Sequence, residues 1–173
     1  MKNLFTIAAV IFSLHAFSQG QFQNETAGSL SYAAGQVQQL AAAFPADKYV
    51  WTPQEGVRSV TQVCTHIISA NYFFASKLGA KLPEDINMET LEKSLTTKEA
   101  IAKELKRSFE VMGAAIKNTT DASLPDKVEF PFPGEFTKMT ASLIALSHAN
   151  EHLGQLIAYA RTNGVVPPWS QTE

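Results

Sequence analysis

The sequence has few of the features that mark several large protein classes. Its single cysteine, Cys64, cannot form an internal disulfide and lies in an apolar helical pattern, so we expect a buried small side chain rather than a nucleophile. Basic residues form no run and the formal net charge is −2, which argues against a nucleic-acid partner because phosphates would meet no basic surface. Beyond the amino-terminal segment, no apolar run reaches the about 20 residues that a bilayer-spanning helix needs, so we expect no membrane insertion of the mature chain.

The amino terminus has the layout of a secretory signal peptide. Lys2 precedes an apolar run from Leu4 to Phe17, and a polar stretch follows that run. Small Ala16 and Ser18 fit the two positions that signal peptidases read before a cleavage site. We therefore predict that residues 1–18 are a signal peptide and that the protein is exported, to the periplasm or to the extracellular space.

The rest of the chain, residues 19–173, is predicted to be one all-α domain. Apolar residues recur at spacings of three and four in four blocks, while the alternation typical of strands is almost absent. A four-helix bundle is the economical way to bury four amphipathic stripes. The blocks run from about Glu25 to Phe44, from Ser59 to Gly79, from Thr96 to about Asn118, and from near Thr137 to Gly164.

Capping residues mark two of the predicted helix starts. Ser59 with Gln62, and Thr96 with Glu99, have the spacing of a capping box, in which each side chain binds a backbone amide that the first helical turn leaves free. Between the third and fourth blocks, the alternating apolar residues of DKVEFPFPGEF predict a short extended flap or hairpin. Its prolines exclude a central strand.

His148 and His152 are four residues apart on the predicted fourth helix. Residues at this spacing lie on one face, so the two imidazoles can turn toward a common point and bind a metal ion. Two histidines at this spacing also occur as surface residues or as hydrogen-bonded core residues. The pair alone leaves these alternatives open.

Three known metal patterns do not account for the pair. The string HANEH matches the His-x-x-Glu-His motif of inverted zinc peptidases, but the only acid after His152 that could supply a further carboxylate ligand is the terminal Glu173. Ferritin-like di-iron sites need Glu-x-x-His on two helices, and no glutamate stands three residues before any histidine here. One cysteine is too few for a cysteine-rich structural zinc site.

The predicted second helix has an apolar stripe of Val60, Val63, Ile67, Ala70 and Phe74. His66 lies beside this stripe, among Val63, Ile67 and Ala70. A neutral imidazole in such a place needs a polar partner. Taken alone, His66 is best interpreted as a core histidine bound to a carbonyl or a carboxylate.

Two segments resemble the signature regions of a known family. Residues 51–66 read WTPQEGVRSVTQVCTH, and residues 146–168 read LSHANEHLGQLIAYARTNGVVPP. They are similar to the DinB-like bundle family, also known through its YfiT members. In that family a Trp-Pro segment leads into an Arg-Ser helix start with a histidine about one and a half turns on, and the fourth helix carries His-x-x-x-His before Gly-Gln-Leu. The resemblance extends from about Phe22 to Pro168 and is strongest in these two segments.

The resemblance implies a DinB-like four-helix bundle that holds one divalent metal ion on His66, His148 and His152. Neutral imidazole suits zinc, nickel, copper and ferrous iron alike, and the ligand type does not distinguish them. Remaining coordination positions would be open to water or substrate, as in catalytic sites. The resemblance also implies a thiol-type transferase that acts on a small molecule, because characterised relatives largely use a low-molecular-weight thiol. Export favours a metal-dependent hydrolase instead, because cytosolic thiols are not expected outside the inner membrane. The alternative is a non-catalytic extracytoplasmic binding module.

Five further residues are candidates for the surroundings of this site. Gln155 shares the face of the histidine pair and can orient a ligand imidazole or a bound water, and an ordinary amide on the helix surface is the open alternative. Glu151 points roughly 100° away around the helix, so we expect a position in the second layer or in solvent. Arg58 and Tyr159 are expected to wall the mouth of the site. Trp51 can do the same, but a structural plug over the end of the bundle is the better interpretation of this residue. The Ala-rich first helix offers a flat surface for a homodimer.

Overall fold

The computed structural model describes residues 20–170, so the predicted signal peptide lies outside the described part of the chain. The fold is all-α, as predicted, apart from one pair of very short strands. The elements are helices α1 (Gln21–Ala43), α2 (Val60–Lys77), α3 (Leu91–Ser94), α4 (Lys98–Asn118) and α5 (Lys138–Thr162), with strands β1 (Lys127–Val128) and β2 (Phe136–Thr137) between α4 and α5.

Four long helices form the bundle. Helix α1 packs against α4 and α5, and α2 packs against the same two helices, so α1 lies diagonally opposite α2, and α4 lies diagonally opposite α5. The two helices that carry the histidines, α2 and α5, are therefore neighbours. The apolar stripes meet in one core, whose largest fully buried side chains are Tyr72, Phe44, Leu30, Leu40, Ile67, Ile68, Ile101, Leu105, Met112, Ile116, Leu156 and Val37.

The capping box at the start of α2 is confirmed. The hydroxyl of Ser59 accepts a hydrogen bond from the amide of Gln62, whose side chain accepts one from the amide of Ser59. Cys64 is fully buried on this helix, as expected, and burial raises the pKa of its thiol to about 12. The helix ends before Gly79, whose φ of +90° lies in the left-handed region where glycine is favoured.

The predicted capping box of Thr96 with Glu99 is wrong by one residue. Thr97 caps α4, because its hydroxyl accepts from the amide of Ala100. The helix starts at Lys98, whose ammonium group donates to two carbonyl oxygens at the end of α1, those of Ala42 and Phe44, at 2.7 Å each. The helix thus begins one residue later than predicted, at the residue that makes this contact with α1.

The connection between α2 and α4 carries the short helix α3, which the apolar pattern did not predict. Leu91 of α3 is buried against the core. The connection is also held by a bidentate ion pair, since the guanidinium of Arg107 on α4 lies 2.6 Å from each carboxylate oxygen of Asp85. These two contacts fix the path of the connection, and α3 packs against α2.

The flap between α4 and α5 is short, as predicted. Strands β1 and β2 pair antiparallel, with Lys127 opposite Thr137 and Val128 opposite Phe136. Gly134 allows the turn, because its φ is +146° and a Cβ atom there would lie 2.6 Å from the ring of Phe136. Within residues 20–170, no helix combines the length and the apolar character that crossing a bilayer requires.

Candidate metal centre

Three imidazoles from α2 and α5 meet at one point near the surface of the bundle. The Nε2 atom of His148 lies 3.1 Å from Nε2 of His66 and 3.1 Å from Nε2 of His152. One ligand atom from each ring lies within 4.8 Å of the other two. His152 is buried, with 7% of its surface exposed, whereas the side chain of His66 is 25% exposed. Of these two rings, His66 is therefore the one that solvent reaches.

The spacing of the nitrogen atoms fits a shared cation. Two nitrogen ligands at about 2.0–2.1 Å from one tetrahedral zinc ion lie about 3.3 Å apart. The two Nε2 separations of 3.1 Å are close to this value. Small shifts of the rings are enough to bring three lone pairs to one ion.

A chain of hydrogen bonds decides which nitrogen of His152 carries its proton. The backbone carbonyl of Arg58 can only accept, so the hydroxyl of Tyr159, 3.0 Å away, must donate to it. Tyr159 therefore accepts from the amide nitrogen of Gln155 at 2.9 Å. The amide oxygen of Gln155 then faces Nδ1 of His152 at 2.8 Å. Nδ1 must be protonated to donate this bond, which leaves the lone pair of His152 on Nε2.

His66 is oriented in the same sense by a carboxylate. Its Nδ1 lies 3.4 Å from Oε1 of Glu92, on the short helix α3. A carboxylate accepts a hydrogen bond and cannot donate one when ionised, so Nδ1 carries the proton and Nε2 carries the lone pair. Metal-binding histidines commonly have such a partner on the other ring nitrogen.

Hydrogen bonds among the three rings cannot satisfy this arrangement. A ring nitrogen has either one hydrogen or one lone pair, so Nε2 of His148 can bond to only one of its two neighbours. Because His66 and His152 both direct lone pairs toward it, one lone pair stays unmatched when Nε2 of His148 carries the proton, and all three stay unmatched when Nδ1 carries it. A cation at the point of convergence would satisfy all three nitrogens, and the residues therefore fit the metal that the resemblance implies.

The electrostatic surroundings keep the rings of His66 and His148 neutral. Burial, then the neighbouring imidazoles of His152 and His66, and then the charge of Arg58 lower the pKa of His148 to about 3. Burial is also the main cause that lowers the pKa of His66. Neutral imidazole is the form that binds metal, so these two rings are in the ligating form near neutral pH.

The sequence itself identifies the family. The family model of the DinB superfamily matches residues 29–156, a range that includes all three histidines and Gln155. The chain belongs to the DinB superfamily. No curated protein sequence matches it significantly.

Solved structures with the DinB-like fold are similar to this chain at low sequence identity. A DinB-like protein from Bacillus cereus is 19% identical, with a TM-score of 0.70 over 83% of this chain and 93% of that one. A DinB-like protein from Bacillus subtilis is 20% identical, with a TM-score of 0.66 over 86% and 99%. A conserved protein from Enterococcus faecalis is 16% identical, with a TM-score of 0.61 over 80% and 94%. At these identities the comparison supports the fold alone.

Four of the five residues expected around the site of this DinB-superfamily chain lie in or near it. Gln155 and Tyr159 form the chain of hydrogen bonds to His152, and Arg58 provides the carbonyl that ends it. The half-buried ring of Trp51 packs edge-on against Tyr159, with ring centroids 5.1 Å apart. Glu151 is exposed and makes no hydrogen bond or ion pair within residues 20–170. Of the two positions expected for it, the second layer around the site and solvent, it occupies the second.

Two contacts of the site have no counterpart in the sequence prediction. Glu92 reaches His66 from α3, and the ring of Phe74 packs against His148 with centroids 5.8 Å apart. Phe74 has a signal in the apolar stripe of the second block, which predicts burial but no contact with His148. Glu92 has no signal of this kind, because its approach depends on how the connection folds back onto α2.

Proposed function

We propose that this DinB-superfamily protein binds one divalent metal ion through His66, His148 and His152, and that it is an exported metal-dependent hydrolase or thiol-type transferase acting on a small molecule. The observation that carries the metal site is the convergence of three Nε2 atoms. In His66 and His152 the proton is held on Nδ1, by Glu92 and by Gln155, so that Nε2 has a free lone pair. Zinc, nickel and iron all suit three imidazoles.

The chemistry of such a site depends on coordination positions that the protein leaves open. A divalent ion with an open position lowers the pKa of a bound water or thiol, so that a nucleophile forms near neutral pH. The side chains of this protein would hold the ion and keep each ring in one orientation. The partly exposed side of His66 would give a substrate access.

The surroundings also bear on the kind of substrate. The guanidinium of Arg58 is exposed and has no ion-pair partner within residues 20–170, and it is close enough to lower the pKa of both His66 and His148. A free cation beside the site favours a substrate with a negative group. If the protein is exported, hydrolysis is favoured over transfer of a cytosolic thiol, because such thiols are not expected outside the inner membrane.

Metal content tests the proposal directly. The protein would be purified without added metal and without a polyhistidine tag, and its metals would be measured by elemental analysis. We expect about one divalent ion per chain in the wild type and a large loss in His148→Ala. Asn150→Ala is the matched control, since Asn150 is exposed on the same helix and its side chain donates to a backbone carbonyl instead.

Two results would contradict the proposal. Unchanged metal content in His148→Ala would show that the ion is held elsewhere. A folded, metal-free wild-type protein whose thermal stability does not change in chelator would support the non-catalytic binding module instead.

Export is tested separately, by mass spectrometry of the processed chain from the native host. An intact amino terminus would contradict export.

A further inference from the structure

A cluster of phenylalanine rings adjoins the histidines on the side of the flap. Phe74 contacts His148, with ring centroids 5.8 Å apart, and Phe130 of the flap lies 6.0 Å from Phe74. Phe73 lies 5.6 Å from Phe130 and 5.4 Å from Phe74. The three phenylalanines, called the aromatic wall below, form a continuous path of ring contacts from the flap to His148.

Helix geometry places part of the aromatic wall on the open side of the site. Phe73 follows His66 by seven residues, which is close to two full turns, so both lie on the same face of α2. Ile144 precedes His148 by four residues and lies on the same face of α5. Phe73, Phe130 and Ile144 are only partly buried. The surface between the histidines and the flap is therefore apolar and partly open to solvent.

The flap exposes more apolar surface than the fold requires. Phe132 packs on Phe130 and Phe136 yet remains 48% exposed. A connection whose only task is to join α4 to α5 gains nothing from an exposed aromatic ring, and this ring extends the apolar surface that begins at Phe130. Exposed apolar patches that adjoin such a site commonly bind ligands.

We propose that the aromatic wall binds an aromatic or bulky apolar group of the substrate while another part of the same molecule occupies the metal site. The proposal rests on the proposed function, because it takes the three histidines as the metal ligands. It narrows the substrate class to compounds that carry an apolar group as well as a group that approaches the histidines, since Phe74 of the wall contacts His148 directly. Aromatic rings in such a wall favour an aromatic partner in an edge-on or offset position.

Hydroxamic acids test this without knowledge of the natural substrate. The hydroxamate group binds open positions on a divalent ion, and the attached group can be varied. The dissociation constants of acetohydroxamic acid and phenylacetohydroxamic acid would be measured by calorimetry with the zinc-loaded protein. We expect the phenyl compound to bind about tenfold more tightly, in line with the strength of one aromatic contact and burial of the ring.

Variants of the wall decide where the preference comes from. Phe130→Ala should reduce the preference to about threefold or less and leave the affinity for acetohydroxamic acid unchanged, and Phe130→Leu should restore part of it. Phe73→Ala should act in the same direction and serves if Phe130→Ala does not fold. Phe22→Ala is the control, since Phe22 is a partly buried phenylalanine that lines a groove with Asp121 and Leu124 instead.

The outcomes separate this inference from the proposed function. If the protein holds zinc and binds both hydroxamates equally, or if Phe130→Ala and Phe73→Ala keep the full preference, the aromatic wall is not a binding site and the metal site stands. If the protein holds no divalent ion, whether zinc, nickel or iron, and neither compound binds, both proposals are wrong. The inference is also overturned if Phe22→Ala reduces the preference for the phenyl compound as strongly as Phe130→Ala does.

Discussion

The amide oxygen of Gln155 lies 2.8 Å from Nδ1 of His152, and through this contact the end of α5 determines which nitrogen of the ring faces the other histidines. The orientation of the Gln155 amide is fixed in turn by Tyr159, whose hydroxyl accepts from the amide nitrogen because it donates to the backbone carbonyl of Arg58. A residue one turn beyond the site thus controls the ligand without reaching the point of convergence. This relationship leads to the first prediction.

Gln155→Leu should weaken metal binding by about 10- to 100-fold, because loss of a partner on the second ring nitrogen typically has an effect of this size. The helix should remain intact, since leucine is a good helix former. The measurement is the dissociation constant for zinc, by competition with a chelating dye, together with a circular dichroism spectrum. Gln155→Glu keeps an acceptor at the same place and should retain tight binding. Equal losses in both variants would show that the amide does not act through His152.

Glu92→Gln should weaken zinc binding by about tenfold, because a neutral amide replaces the carboxylate that holds the proton of His66. Glu89→Gln is the matched control, as it removes an exposed carboxylate from the same connection. The same competition measurement checks both variants. If the two variants behave alike, the effect of Glu92 is only that of nearby negative charge, and its bond to His66 does not matter for the metal.

The metal-free protein should lose stability on mild acidification. The pKa of His148 is lowered to about 3 in the folded chain, whereas an unfolded histidine has a pKa of about 6.5. Between these values the unfolded chain binds a proton that the folded chain does not, so each step down in pH favours unfolding. The stability that neutral His148 contributes is therefore complete above about pH 6.5 and decreases toward about pH 3.

Thermal unfolding of the chelator-treated protein at about pH 7 and about pH 5 measures this. We expect a lower melting temperature at the acidic pH and a smaller decrease in His148→Gln, which removes the titrating group. His66 acts in the same direction, since burial lowers its pKa as well. A melting temperature that rises on acidification would contradict the sign of the effect.

Thr97→Ala should destabilise the protein by about 1 kcal/mol, the usual effect of losing an N-terminal cap. Thr96→Ala should leave the free energy of unfolding nearly unchanged, because Thr96 is exposed and does not cap α4. Denaturant titration of the two variants measures the difference. A larger loss in Thr96→Ala would restore the capping box that the sequence predicts and contradict the observed start at Lys98.

The sequence predicts the helices better than it predicts the contacts between them. The stripe of α2, from Val60 to Phe74, is buried as expected, because burial depends on a spacing that can be counted along the chain. The start of α4 was missed by one residue, and there Lys98 binds carbonyls more than fifty positions away. A local capping rule contains no information about such a contact.

In the candidate site, too, the sequence predicts what lies on one helix better than it predicts contacts between helices. The face shared by His148 and His152 follows from helical geometry, and His66 was added only through the resemblance to a family. That its Nε2 atom lies 3.1 Å from His148 depends on how α2 packs on α5, which spacing alone does not give. Glu92 was missed because its place depends on the path of the connection between α2 and α4.

The packing of α2 beside α5, two helices far apart in the chain, has a consequence for folding. His66 and His148 are 82 residues apart, and α4 and the flap lie between them in the chain. An unfolded or half-assembled polypeptide thus has only the pair on α5, and the complete set of three rings exists only once α2 has docked beside that helix. An ion bound by all three would raise the population of the finished bundle at the expense of every earlier species, so cation uptake would mark the moment at which assembly is complete.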